Sequence, residues 1–160
     1  MSTQAISNPD NVRLYQVVYV SAASDAALGG DGLPCLLRET RQKNASVDVT
    51  GLMVLVDLAV IEVLEGEQGA VAEAFGSWRR DKRRENLFVL QRGPIDGRRF
   101  GACPMRVATL DAVAVRLVGL SESVRNGRIT RDAVLHHRIL GLIDELAERA
   151  FDNLKTALLT

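Results

Sequence analysis

One strand-like segment, Leu58–Leu64, constrains the fold more than any other part of the sequence. Side chains alternate between the two faces of a strand, and both faces of this segment are apolar except at Glu62. Such a strand lies inside a sheet that is covered on both faces. We therefore expect Glu62 to be buried, which is costly for a carboxylate without a partner; the alternative is that the strand frays and Glu62 reaches solvent. Glu65 falls on the opposite face, so the two do not form a catalytic carboxylate pair.

The other elements follow from apolar spacing and from glycine and proline positions. Strands are predicted at Leu14–Ser21, Val47–Val56, Leu58–Leu64, Leu87–Gln91 and Ala102–Val107, with a tight turn at Asp57 and a loop at Pro94–Phe100. One helix is predicted from Gly32 to about Lys43, and a second opens at Gly66–Gly69. The order βαββαβ plus an edge strand predicts an α+β, ferredoxin-like sandwich with two helices on one face of the sheet. The first and third strands are then central neighbours, which allows Tyr19 to lie beside Glu62.

We divide the chain into three parts. Residues 1–12 are predicted to be a flexible arm, residues 13–108 the ferredoxin-like domain, and residues 109–160 a C-terminal helical segment. Within the last part, Thr130–Leu159 has apolar residues at spacings of three and four, which indicates an amphipathic helix. Its apolar stripe either closes the core of one chain or joins copies in a homo-oligomer. The sequence leaves both open.

Charge and cysteine content argue against several classes of protein. The chain has 20 Lys+Arg and 20 Asp+Glu, so its formal charge is zero and a general polyanion binder is not expected. Two cysteines are too few for a disulfide framework. No apolar run reaches the roughly 18 residues of a membrane span. These features favour a cytoplasmic protein without a membrane partner.

Two further patterns in the sequence, a basic segment and a histidine pair, give weaker indications of function. Residues 79–99 contain eight basic and three acidic side chains, which we interpret as a solvated helix end in preference to a nucleic-acid site. Adjacent His136 and His137 point about 100° apart on a helix, so they are predicted to be surface residues and not joint metal ligands. No nucleophile–base pair or metal-ligand spacing is evident, and we predict no enzyme activity.

Several short blocks occur in the order and spacing of a known family. They are Tyr19-Val20-Ser21, Lys43-Asn44-Ala45, Val49-Thr50-Gly51-Leu52, Val63-Leu64-Glu65-Gly66, Arg80-Asp81-Lys82-Arg83, Pro94-Ile95, Arg98-Arg99-Phe100 and Met105. The chain from about Leu14 to Val107 thus resembles the BLUF domain, the sensors of blue light using FAD. The resemblance implies the same ferredoxin-like fold, with FAD between the two helices. The choice of FAD over FMN or riboflavin stays open.

The resemblance also implies roles for residues. The flavin-contacting set is Tyr19, Lys43, Asn44, Glu62, Asp81, Arg83 and Arg84, and the photoactive set is Tyr19, Glu62 and Met105. Tyr19 takes the place of the tyrosine that donates to the excited flavin, and Asn44 that of the asparagine at the flavin C4 carbonyl and N3. Met105 takes the place of the methionine that relays the signal.

Departures from the family cluster around the same pocket. Glu62 stands where the family has a glutamine, Arg84 where it commonly has histidine, Lys43 where asparagine or histidine is frequent, and Cys103 where tryptophan is frequent. An ionised glutamate only accepts hydrogen bonds, whereas an amide donates and accepts. A protonated glutamate can also donate, and burial next to a neutral ring would favour that form and allow flavin binding. We therefore expect a disabled or altered light response, which Glu62→Gln would move toward that of the family.

The resemblance implies a sensor module without its own catalytic output. Residues after Val107 are too few for a catalytic effector, so the signal would pass to a downstream protein or through self-association. The alternative is a flavin-free BLUF-like scaffold that acts as a protein-interaction module.

Overall fold

The computed structural model describes residues 13–56, 59–101, 103–109 and 136–148. Its elements are β1 (Leu14–Ala23), α1 (Asp25–Leu28), α2 (Gly32–Ser46), β2 (Thr50–Val56), β3 (Ala59–Glu67), α3 (Gln68–Arg79), β4 (Arg84–Pro94) and β5 (Arg106–Thr109). Residues 136–148 are also helical. Within the described residues, every helix falls short of the length and apolarity that a bilayer span requires. The predicted arm at 1–12 and the turn at Asp57 lie outside the described residues.

The strands form one five-stranded sheet in the order β4-β1-β3-β2-β5. Neighbours pair antiparallel except for β2 and β5, which are parallel. The predicted ferredoxin-like α+β fold is confirmed. So is the central pairing of β1 with β3, whose register places Tyr19 opposite Glu62.

Apolar side chains cover both faces of the sheet, as the double-sided pattern of β3 predicts. On one face, Val17, Tyr19, Met53, Val60 and Leu64 pack with Val71, Ala74 and Trp78 of α3. On the other, Val18, Val20, Val54, Ile61 and Val63 pack with Ile139, Leu142, Ile143 and Ala147. We call these the helix-pair face and the C-terminal face. The fold therefore has two cores that share one sheet.

Several boundaries differ from the sequence prediction. Strand β2 begins at Thr50 and not at Val47, because α2 continues to Ser46 and Asp48 then turns with φ of 55°. Strand β4 runs over Arg84–Pro94, longer than the predicted Leu87–Gln91, since it pairs with almost the whole of β1. The polar residues at both ends of β4 gave no strand pattern in the sequence, because an edge strand does not require apolar residues at its ends.

The predicted fifth strand, Ala102–Val107, is also shifted. Strand β5 comprises Arg106–Thr109 and pairs with β2 from Leu52 onward. Pro104 has no backbone N–H to donate to a ladder, which explains why pairing starts after it.

Gly51 gives a structural reason for the Thr-Gly block in β2. A Cβ atom at this position would overlap the backbone carbonyl oxygen of Val63 on the neighbouring strand β3. Only glycine allows the two strands to approach this closely.

The described part of the C-terminal segment packs on the sheet of its own chain. Ile139, Leu142, Ile143 and Ala147 are buried on the C-terminal face. For residues 136–148 the apolar stripe therefore closes the core, which is one of the two alternatives. The rest of Thr130–Leu159 lies outside the described residues.

Candidate functional site

The site is built around the pairing of β1 with β3. Tyr19 and Glu62 face each other across these strands, and both side chains are 0% exposed. The Tyr19 hydroxyl donates a hydrogen bond to Oε2 of Glu62. The alternative in which the strand frays and Glu62 reaches solvent is therefore wrong. A register shift of one residue would move Glu62 to the C-terminal face, away from Tyr19, so this contact depends on the observed register of β1 with β3.

Arg84 supplies the charge that compensates Glu62. It is the first residue of β4, opposite Ala23 of β1, and its Nη1 donates to Oε1 of Glu62. The guanidinium also lies over the ring of Trp78, 4.9 Å from its centre. Arginine is always charged and only donates, so Glu62 accepts through both oxygens as a carboxylate does.

Sequence analysis placed Arg84 beside the flavin but did not foresee its pairing with Glu62. The available signal was the buried carboxylate itself, because a buried charge requires a partner.

The environment keeps Tyr19 protonated. Burial raises the pKa of its hydroxyl well above the usual range, and the negative charge of Glu62 raises this pKa further, while Arg84 acts in the opposite direction. The ring also contacts Phe75 of α3 at a centroid distance of 5.0 Å, in a tilted arrangement. Tyr19 is thus a fixed proton donor toward Glu62.

Helix α2 presents a second polar group to the same face. Leu36, Thr40 and Asn44 are spaced four residues apart and are all buried. The Thr40 hydroxyl donates to the Leu36 carbonyl within the helix, whereas Asn44 Nδ2 donates to the carbonyl of Pro104 at 2.8 Å. A carbonyl only accepts, so this bond fixes the amide orientation. The Oδ1 of Asn44 is then a buried acceptor with no partner among the described residues.

Further buried polar atoms on the helix-pair face also lack partners. Within the described ranges they are Ser21 Oγ, Asn44 Oδ1, Trp78 Nε1 and Arg84 Nε and Nη2. Such atoms are rare in folded proteins and call for an explanation. Helix α3 lies close to β1 and β3, whereas α2 approaches the sheet closely at few points. Unused hydrogen-bonding capacity is thus present on the side of the sheet where one helix stands away from it.

Three other candidates, Lys43, Asp81 and Arg83, lie at the rim of this region. Lys43 Nζ pairs with Glu73 of α3 at 3.0 Å, and Arg83 pairs with Glu39 of α2 at 2.6 Å and with Asp81 at 2.7 Å. Hydrogen bonding from Arg83 holds the pKa of Asp81 below its usual range. The structure thus separates these three from the buried group of Tyr19, Asn44, Glu62 and Arg84.

Met105, the predicted relay residue, is fully buried on the helix-pair face. Its carbonyl accepts a hydrogen bond from Nε of Arg41 at 3.1 Å. The preceding carbonyls of Pro104 and Cys103 accept from Asn44 and from the backbone N–H of Gly51. Three consecutive residues before β5 are therefore held by α2 and β2.

Glu65 has a structural role that sequence reasoning missed. It is fully buried, and its carboxylate accepts from the backbone N–H groups of Phe100 and Arg99 at 2.8 and 2.9 Å and from the Thr50 hydroxyl at 3.1 Å. The prediction that it does not pair with Glu62 is confirmed. A carboxylate at the end of a buried strand was the available signal, since it must find donors nearby.

The basic segment 79–99 forms contacts within the chain. Besides Arg83 and Arg84, Arg98 pairs with Asp48 at 3.2 Å, and Arg99 pairs with Asp144 at 2.8 Å. This favours the structural interpretation over a nucleic-acid site. His136 is half-buried and stacks on Phe88 at 5.8 Å, so only His137 fits the predicted exposed position.

The described residues contain no group of three or more side chains that could hold a metal ion.

Comparisons with known proteins agree with this architecture. A family model described as sensors of blue-light using FAD matches residues 14–106. The photoactivated adenylate cyclase subunit alpha of Euglena gracilis is 30% identical over 90 residues, which is 56% of this chain. The chain spans only 9% of the length of that relative.

Solved structures show the same fold. The ground state of BlsA superposes with a TM-score of 0.65 at 24% identity, covering 84% of this chain and 87% of that one. Klebsiella pneumoniae BlrP1 with FMN and cyclic diGMP superposes with a TM-score of 0.55 at 27% identity, covering 60% of this chain and 26% of that one.

Proposed function

We propose, because this chain belongs to the BLUF family of sensors of blue light using FAD, that it holds a flavin between α2 and α3 and that Glu62 alters its response to light. The observation that carries this proposal is the pair of buried hydrogen bonds that Glu62 accepts, one from Tyr19 and one from Arg84. Photoactive and cofactor-binding roles for individual residues are part of the proposal.

The unpartnered polar atoms fit a flavin. The polar edge of its ring carries two carbonyl acceptors on either side of one N–H donor. Asn44 Oδ1 is a free acceptor suited to that N–H, and Arg84 Nε and Nη2 are free donors suited to a carbonyl. A bound flavin supplies absorption of blue light and a ring that accepts electrons. Asn44 and Arg84 would orient the ring, and Lys43, Asp81 and Arg83 would close the rim.

Glu62 gives the site a different hydrogen-bonding character from that of the family. Both of its oxygens accept, one from Tyr19 and one from Arg84. An amide can turn so that its N–H faces either Tyr19 or a flavin. A carboxylate has no N–H, so it cannot exchange donor and acceptor in this way. We propose that the light response is for this reason weak or of unusual form.

The output is proposed to pass through another protein. The Euglena gracilis relative is a far longer chain named as a photoactivated adenylate cyclase subunit, which supports a sensor whose output is passed to an effector. We further propose that the chain has no catalytic activity of its own, is cytoplasmic, and forms homo-oligomers. Met105 would carry the signal from the buried group to β5.

The test is flavin uptake by the full chain. The protein is refolded with excess FAD, FMN or riboflavin, and bound flavin is measured by visible absorption after desalting, in the dark and under blue light. We expect stoichiometric flavin with a weak or atypical light-induced shift. Asn44→Leu should lower flavin affinity about tenfold, through loss of one hydrogen bond, whereas His137→Ala on the far face should not. A colourless protein with all three flavins would contradict the proposal and support a flavin-free scaffold for protein interaction.

A further inference from the structure

We infer that Arg84 is a positioning residue that works only together with Glu62, and that it sets the orientation of any side chain at position 62. The inference deepens the proposed function, and its effect on the light response rests on flavin binding. The pairing itself does not depend on flavin.

The geometry leaves each charge dependent on the other. Glu62 is 0% exposed and Arg84 is 7% exposed. Arg84 is the cation that contacts Glu62 among the described residues. Removal of one member of a buried ion pair leaves the other charge uncompensated, which costs far more than the pair itself contributes.

Arg84 also has little freedom to leave the site. Its backbone is paired with Ala23 at the start of β4, and its guanidinium lies over Trp78 at 4.9 Å. The fixed guanidinium therefore acts as a constant donor toward position 62.

This donor determines what a glutamine at position 62 can do. A guanidinium only donates, so the amide of Glu62→Gln must place its oxygen toward Arg84 and its NH2 toward Tyr19. In the opposite orientation the amide NH2 would face the guanidinium of Arg84, and two donors would meet without an acceptor. Glu62→Gln alone is therefore expected to yield a locked amide, whereas the sequence by itself predicted that this substitution would move the light response toward that of the family. Removal of both charges, in Glu62→Gln/Arg84→Met, yields an amide that is free to turn.

The first experiment measures coupling in the full chain without added flavin. Denaturant unfolding is compared for wild type, Glu62→Gln, Arg84→Met and the double variant. We expect Arg84→Met to lower the folded-to-unfolded ratio roughly hundredfold or more and the double variant to recover most of the loss. Arg99→Met with Asp144→Asn is the matched control, since this exposed pair should couple by no more than about fivefold. Effects at 62 and 84 that add within about twofold would overturn the inference.

Arg84→Lys keeps the charge and guards against a variant that does not fold. It should remain closer to wild type than Arg84→Met does. Equal losses in these two variants would show that Arg84 acts only through packing and would overturn the inference.

The second readout reports the state of position 62 directly. Infrared spectra should show a carboxylate band in the wild type that is absent from Glu62→Gln, and Arg84→Met should change this band because Oε1 loses its charged donor. An unchanged carboxylate band in Arg84→Met would overturn the inference. A packing role alone would not move this band.

The third readout applies to flavin-loaded protein. We expect Glu62→Gln to keep the weak response of the wild type and Glu62→Gln/Arg84→Met to gain a reversible light-induced shift. A full light-induced spectral shift in Glu62→Gln alone would contradict the inference that Arg84 locks the amide. If no variant takes up flavin, the proposed function fails while the stability and infrared results still decide the pairing.

Discussion

Tyr19 shows how strongly the chemistry of one residue here depends on its neighbours. It comes from β1, its acceptor Glu62 from β3, and the compensating Arg84 from β4. Burial alone would make Glu62 costly, and the guanidinium converts it into a stable acceptor. The hydroxyl of Tyr19 is thereby fixed as a donor in the interior of the sheet.

Alkaline pH should reveal this environment. The Tyr19 pKa is raised in the folded state, first by burial and then by Glu62, so the native state holds this proton more tightly than the unfolded chain. The resulting stability is present below the unfolded pKa of about 10 and is lost as the pH rises toward the folded pKa. In a Tyr15→Phe background, which leaves one tyrosine, tyrosinate absorbance and circular dichroism should change together. Tyrosinate formation near pH 10 with an unchanged fold would contradict this.

Helix α2 combines two functions on two of its faces. Thr40 and Asn44 face inward, and Asn44 reaches the carbonyl of Pro104. Glu39 and Lys43 lie on the outer side and form ion pairs with Arg83 and with Glu73. Lys43–Glu73 joins α2 to α3, and Glu39–Arg83 joins α2 to the segment before β4. Exposed pairs of this kind contribute little stability.

The 136–148 helix should be required for the stability of the sheet. Ile143 is buried on the C-terminal face with Val54, Ile61 and their neighbours. Ile143→Ala removes buried methylene and methyl groups and should lower the free energy of unfolding by about 2–5 kcal/mol. Glu148→Ala, at an exposed position of the same helix, should change it by less than about 0.5 kcal/mol. Equal effects in denaturant unfolding would show that the helix does not close the core.

On the scale of the whole molecule, one sheet separates two cores of different character. The C-terminal face is closed by the 136–148 helix, and the buried carboxylate on its side, Glu65, is satisfied by backbone N–H groups and the Thr50 hydroxyl. The helix-pair face contains the buried group of Tyr19, Glu62, Arg84 and Asn44. Strand β3 contributes to both faces. Glu62 and the C-terminal helix therefore lie on opposite faces of the same strand, β3.

Solution mass tests the proposed association of copies. Light scattering of the full chain at rising concentration should give a multiple of 17.4 kDa, and a constant single-chain mass would contradict association. Leu142 is buried within one chain, so Leu142→Asp/Leu146→Asp should lose cooperative unfolding and not produce a folded monomer. A folded variant of single-chain mass would instead identify this stripe as the interface.

By itself the sequence determined the strand order, the central pairing of β1 with β3, and the burial of Glu62. The strand order and central pairing follow from the βαββαβ order of elements, and the burial of Glu62 follows because a strand that is apolar on both sides must be covered on both faces. Glycine and proline positions marked the turns with errors of a few residues. The start of the fifth strand was placed too early because the missing N–H of Pro104 moves the strand boundary without altering the apolar pattern.

Only the tertiary structure decided that Arg84 meets Glu62. Strand β4 pairs with β1 through two register shifts, and these determine that Arg84, and no other residue of the basic segment, reaches the carboxylate. Tertiary packing likewise placed Lys43, Asp81 and Arg83 at the rim and supplied the donors to Glu65. The physical reason is that the pattern of apolar residues along one segment shows which of its own side chains are buried. The partner of a buried charge depends on how distant strands register against each other.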